Sequence, residues 1–192
     1  MNRSATARFA LDSTTLRLSS GDPTDGSFCL QSTDDPIRID PAIPGDADFF
    51  RTLRAEVMGP YWRAHPNLMQ IPESPAGRTR PEFFRSEDTR IVTVGTDQVA
   101  ALQVIRYDAI HSLRWLLVTP RHQGRGIGTA LVRLVQREAS DLSCDVTLDV
   151  LHANSRARDL YERLGFKVKR VGSDLSVMHW SQGTAAGQTG DL

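Results

Sequence analysis

The chain carries no excess of either charge: 23 Lys and Arg stand against 23 Asp and Glu, giving a formal net charge of zero. Nothing in that balance points to the basic footprint of a nucleic-acid binder. Long apolar runs are missing too, and none approaches the roughly 18 residues of a membrane span. The N-terminus lacks the continuous apolar core of a secretory signal. Cysteine is scarce. Cys29 and Cys144 lie far apart, match no metal or redox spacing, and read as free thiols of a reducing cytoplasm. No internal repeat is found, and 192 residues fit one domain. Residues 1–35, rich in Ser, Thr, Asp and Gly, read as a disordered or loosely attached extension. Residues 181–192 read as a disordered tail, which leaves 36–180 as the folded domain.

Within that domain the periodicity alternates between strand and helix. Ile37-Arg38-Ile39 is a short strand, and Asp46 is placed to cap a helix that buries Phe50, Leu53 and Val57. Gly59-Pro60 is expected to stop this helix after Met58 and to open a long connection over 59–80 holding Tyr61, Trp62 and His65. Connections of that length are often binding loops. Pro81 could open a short second helix through Phe83 and Phe84. Arg90–Val94 and Val99–Tyr107 read as a hairpin, followed by the apolar strand Leu113–Val118. A helix with Ile127, Ala130, Leu131, Leu134 and Val135 on one face comes next, then a strand alternating at Val146, Leu148 and Val150. Asn154 caps a last helix with the stripe Ala157, Leu160, Tyr161 and Leu164, and Gly165 takes its C-terminal cap position. Phe166–Lys169 and Leu175–Met178 close the pattern as strands. Periodicity alone gives a mixed α/β domain with a substantial sheet.

The most informative segment joins the Leu113–Val118 strand to the helix after it: Thr119-Pro120-Arg121-His122-Gln123-Gly124-Arg125-Gly126-Ile127-Gly128-Thr129. Glycine permits positive φ and close backbone approach. A helix start presents unpaired N–H groups at the positive end of its dipole, so the segment reads as a phosphate cradle. A nucleoside-triphosphate loop requires a Lys after the glycines, which is absent. A dinucleotide fingerprint requires a third glycine where Thr129 stands; Asp145 and Asp149 lie near the distance of its acidic residue, so that alternative is weak and stays open.

What fits in full is Gln-x-x-Gly-x-Gly over Gln123 to Gly128, followed downstream by Asn154-x-x-Ala157-x-x-Leu160-Tyr161-x-x-x-Gly165-Phe166. Together these resemble the two signatures of the GNAT superfamily of acyl-CoA-dependent N-acetyltransferases over about residues 36–180. The resemblance implies a single-domain fold with a central mixed, mainly antiparallel sheet flanked by helices. Its element order would be βααβββαβαββ, with two strands splayed at the acyl-CoA site. It further implies that Gln123, Gly124, Arg125, Gly126, Ile127, Gly128 and Thr129 hold a pyrophosphate, with Arg121 and Arg125 reaching toward another phosphate. Backbone groups of Leu117 and Val118 would bind the pantetheine arm and polarise the thioester carbonyl, with Asn154 and Ala157 beside the same arm. Tyr161 would protonate the leaving thiolate as the catalytic acid.

The implied reaction is transfer of an acetyl group from acetyl-CoA to a primary amine of a small molecule or peptide, by direct attack in a ternary complex. No metal, nucleic acid or membrane takes part, and the chain would act in the cytoplasm as a monomer or homodimer. One feature departs from the family pattern: many relatives carry a Glu on the strand before the loop, whereas Leu113-Arg114-Trp115-Leu116-Leu117-Val118 has no carboxylate. Asp108, His111, Glu56 and His65 are the candidate bases. A non-catalytic acyl-CoA sensor, or a nucleotide-binding regulatory domain built on the same cradle, are the competing readings.

Overall fold

A computed structural model describes residues 14–16, 37–65 and 84–182. Among the described residues, eight strands form one sheet: β1 (Thr14–Leu16), β2 (Ile37–Pro41), β3 (Thr89–Val94), β4 (Asp97–Arg106), β5 (Ile110–Val118), β6 (Asp145–Leu151), β7 (Lys167–Val171) and β8 (Leu175–Trp180). Their spatial order is β1-β2-β3-β4-β5-β6-β8-β7. All neighbours are antiparallel except β5 and β6, which run parallel. Three helices accompany the sheet: α1 (Ala47–Ala64), α2 (Ile127–Asp141) and α3 (Ser155–Arg163). Parallel strands need a crossover, and α2 provides it between β5 and β6.

Each face of the sheet has its own core. On one face Ile127, Leu131, Val132, Val135 and Ala139 of α2 and Tyr161 of α3 pack with Val146, Leu148 and Val150 of β6. On the other, Phe50 and Leu53 of α1 pack with Ile91, Ala101 and Leu117. Burying each large aliphatic side chain is worth about 1.5–3 kcal/mol, so the two apolar faces fix which side each helix takes.

Three expectations near α1 are corrected. The helix does not stop at Gly59-Pro60 but continues to Ala64, which makes Tyr61 and Trp62 helical. Pro60 removes one helical N–H and crowds the carbonyl a turn earlier. Packing across the interruption offsets this, because the Arg54 guanidinium lies 4.9 Å from the Trp62 ring centre and 5.3 Å from that of Trp115. Asp46 does not cap α1 through its side chain. Instead its carboxylate accepts from the Ile43 N–H at 2.8 Å and from Gln98 Nε2 at 2.9 Å, tying the helix entry to the β3–β4 hairpin. Phe84 is not helical, and the rest of the second helix expected at Pro81 lies outside the described residues. So do the rest of the 59–80 connection, Cys29, the C-terminal tail from 183, and residues 1–36 apart from the three of β1.

Two local features of β5 shape the ground on which the glycine loop stands. Val104 pairs with Leu113 and Gln103 with Trp115, so Arg114 is an extra residue, a β-bulge. Pairing of β5 with β6 runs from Ile110↔Asp145 only to Leu113↔Leu148. Beyond it β5 continues to Val118 and β6 to Leu151. The two strands part where the bulge bends β5. This is the expected splay.

Candidate active site

The glycine loop follows β5 and enters α2 in the conformation its sequence requires. Gly124 has φ +78° and Gly126 φ +85°, values that disfavour any side chain. Gly126 is the N-cap of α2, and no side chain caps the first turn. The first-turn N–H groups therefore have no side-chain cap of their own. A Cβ on Gly128 would make ordinary contact with Leu160 Cδ2 at 3.5 Å, which shows α3 packed against the start of α2. Gly126→Ala is expected to cost about 1–2 kcal/mol of stability through its left-handed backbone. It should also weaken acetyl-CoA binding, as read by denaturant unfolding and titration calorimetry.

Gln123 and α3 fasten this loop. Gln123 Nε2 donates to the Val118 carbonyl at 3.0 Å, and Arg156 Nη1 donates to Gln123 Oε1 at 3.4 Å. The Asn154 side chain accepts from Ala157 N–H at 3.1 Å, so Asn154 is the N-cap of α3. At the other end Gly165 has φ +84°, and its N–H donates to the Glu162 carbonyl at 3.0 Å. The Phe166 N–H donates to the Tyr161 carbonyl at 3.0 Å. This is a Schellman ending, and it folds Phe166 back so that its ring sits 5.7 Å from the Tyr161 ring. The Gly-Phe pair thereby positions Tyr161.

These parts meet in one open cleft of about 590 Å³. Val118, the loop from Gln123 to Thr129, Asn154, Ala157 and Tyr161 all line it. Leu117 does not; its side chain is buried in the α1 core, and Leu116 lines the cleft instead. The bulge at Arg114 shifts which residues of β5 face each side, so Leu113 and Leu116 share one core while Trp115 and Leu117 share the other; the expected role of Leu117 concerns its backbone, not this side chain. Arg121 also stays outside the cleft, 3.5 Å from Asp97. Sequence reasoning missed Arg156 and Arg163 of α3, which join Arg125 in giving the loop end of the cleft its positive charge. It also missed His122, whose Nδ1 lies 2.8 Å from Thr119 Oγ1. Tyr61, brought in by the extended α1, lines the cleft, while Trp62 packs under Arg54 and His65 is exposed. Burial raises the Tyr161 hydroxyl to a pKa of about 12, so it remains a donor throughout the neutral range.

None of the four candidate bases lines this cleft. Asp108 is exposed in the β4–β5 turn, and Glu56 and His65 are exposed on or just after α1. His111 is buried at the far end of β5, about 23 Å along the strand from Val118. Burial and then the Arg106 charge hold its imidazole below the ordinary value, with Arg90 adding to this and Glu138 opposing it. Glu138 pairs with both arginines, at 2.9 Å to Arg106. His111 is thus a buried neutral side chain of the core. Its unfolded form takes a proton below about pH 6.5, while the folded form resists. Thermal stability should therefore fall as pH drops from 7 toward 5, and His111→Asn should remove that part of the fall.

Asp149 on β6 does not line the cleft either, but it stands one residue past the last β5–β6 pair and across from the bulged Arg114. It alternates with Leu148 and Val150, which face α2 and α3, so it occupies the opposite face from Tyr161. Its side chain keeps contact with solvent, yet partial desolvation raises its carboxyl above the usual aspartate range, against the lowering pull of Arg114 and Arg170. Among the described residues no group of three or more His, Cys, Asp or Glu could hold a metal. No helix among them is long and apolar enough to cross a membrane.

The chain belongs to the GNAT acetyltransferase family: the model of the acetyltransferase (GNAT) family matches residues 60–166, more than half its length. It is accordingly an acyltransferase by family. No curated protein sequence matches it. Solved structures share the fold at low identity. PaiA N-acetyltransferase from Thermoplasma acidophilum, in complex with coenzyme A, is 16% identical with a TM-score of 0.56, over 76% of this chain and 99% of that one. Ard1 from Thermoplasma volcanium is 18% identical with a TM-score of 0.57, over 76% and 97%. Arabidopsis thaliana Naa50, in complex with a CoA–acetyl–peptide bisubstrate analogue, is 17% identical with a TM-score of 0.51, over 76% and 99%.

Proposed function

We propose that this protein transfers an acetyl group from acetyl-CoA to a primary amine. One observation carries the reading: an uncapped, glycine-built helix start, a parted pair of strands and a buried tyrosine share one cleft. Such a cleft suits a long thioester with a diphosphate at one end. N–H groups from Gly124 to Thr129 hold the pyrophosphate, with Arg125, Arg156 and Arg163 beside the phosphates. Backbone groups of β5 between the bulge and Val118, no longer paired with β6, bind the pantetheine arm as an added strand would. Asn154 and Ala157 lie along that arm, and a β5 N–H polarises the thioester carbonyl.

Asp149 takes over the role that β5 leaves empty. It accepts one proton from the acceptor ammonium and passes it to solvent, freeing the nitrogen lone pair to form the N–C bond. Its raised carboxyl is a better proton acceptor than an ordinary aspartate. As the C–S bond breaks, Tyr161 gives its proton to sulfur and regains one from the acylated nitrogen. A tyrosinate with a conjugate acid near 12 is reprotonated at once, so the hydroxyl is restored for each turnover. In this reading acetyl-CoA and amine are bound together, the thioester on the Tyr161 face of the sheet and the amine on the Asp149 face, meeting where β5–β6 pairing ends. The buried free thiol of Cys144 accords with action in the cytoplasm.

Thiol release from acetyl-CoA across a panel of primary amines tests the reading. Amine-dependent release and an acetylated product are expected. Binding of acetyl-CoA with no release would make the chain a sensor instead. Competition by ADP as strong as by CoA would point to a nucleotide-binding regulatory domain.

A further inference from the structure

On the sheet face opposite α2 and α3, two arginines act on Asp149 where β5–β6 pairing ends. Asp149 pairs across the sheet with Val177 of β8, and Val177 pairs in turn with Arg170 of β7. Cross-strand partners share a face, so Asp149 and Arg170 stand in one row, two strand spacings or about 10 Å apart at the backbone. An arginine side chain spans most of that gap. Arg114 approaches from the other side, as the bulged residue of β5 next to the last β5–β6 pair. Both guanidinium groups act electrostatically on the Asp149 carboxyl. Arg170 is exposed, and among the described residues no carboxylate pairs with it. The other ion pair on this face, His179 with Asp145 at 2.9 Å, lies at the end of β6 away from the opening.

This surrounding is hostile to a simple cationic amine. Two guanidinium groups repel a bound ammonium and favour its neutral form, which helps catalysis but weakens binding. A negative group on the acceptor reverses the second effect without losing the first. We infer that the preferred acceptor is an amine bearing a carboxylate close to the reacting nitrogen, as in an α-amino acid, with Asp149 facing the nitrogen and Arg170 the carboxylate. The inference rests on the acetyl-transfer reading above and names its substrate class. An Arg–carboxylate contact of this kind is planar and bidentate, so Lys should replace Arg170 only in part.

The experiment uses the full chain with acetyl-CoA and matched acceptors, free α-amino acids against their carboxamides, compared per neutral amine. The acids should be preferred at least tenfold in kcat/KM, chiefly through KM. Arg170→Gln should bring the ratio to within about threefold of unity by weakening the acids more than the carboxamides, and Arg170→Lys should keep part of the preference. Equal use of acids and carboxamides, or a preference that Arg170→Gln leaves unchanged, would overturn the inference while leaving acetyl transfer intact. Thiol release with neither series, in protein that still releases thiol with other primary amines, would overturn the inference alone; release with no primary amine at all, in protein that still binds acetyl-CoA, would overturn the transfer reading and this inference together.

Discussion

Tyr161→Phe should slow acetyl transfer by about 10²- to 10⁴-fold, the usual worth of a positioned general acid. Acetyl-CoA affinity should hardly change, because the ring that packs on Phe166 is retained and only the hydroxyl is lost. A fall in kcat with an unchanged dissociation constant marks a group that acts in the transition state alone. Burial holds the wild-type hydroxyl at a pKa of about 12, so its ionisation should add no falling limb to the rate profile below about pH 11. Turnover as fast in the Phe variant as in the wild type would remove Tyr161 from the chemistry and leave it a core residue.

Asp149→Asn should produce a loss of comparable size near neutral pH, about 10²- to 10⁴-fold in kcat/KM for the amine. The substitution keeps the shape and removes the proton acceptor. Its signature is in the pH dependence. In the wild type, activity falls as pH drops through a carboxyl value that lies above the ordinary aspartate range. In the Asn variant the rate should instead follow the free neutral amine, rising about tenfold per pH unit until the amine itself is deprotonated. The two enzymes should therefore converge at high pH. A deficit that stays constant across pH would make Asp149 a positioning or structural residue.

The parts of this site that are legible in the sequence are those decided locally. Gly124, Gly126 and Gly165 announce positive φ because few other residues adopt it, and each has it. Asn154 announces a cap and makes one. Alternation places Val146, Leu148 and Val150 on one face, and all three are buried there. The features that escape a sequence reading depend on partners distant in the chain. Gly59-Pro60 reads as a stop, and only the stacking of Arg54 between Trp62 and Trp115 shows why α1 runs on. Which face each β5 side chain takes cannot be read through a bulge that shows only in the pairing with β4. Asp149 reads in sequence only as a nucleotide-binding acid, because its place one residue past the last β5–β6 pair follows from where that pairing ends. Arg156 and Arg163 belong to no loop motif and reach the cleft only through the packing of α3 against α2.

The central claim is that the cleft is an acyl-CoA site, and thermal unfolding of the full chain with acetyl-CoA, ADP, ATP and NAD tests it most directly. Acetyl-CoA at about 100 times its dissociation constant should add about 2.7 kcal/mol of stability. In a domain of this size that corresponds to a rise in Tm of about 5–10 °C, with little or no rise for the other three. No rise with acetyl-CoA, or an equal rise with ADP, would contradict the account and leave the glycine turn a structural device or a plain nucleotide cradle.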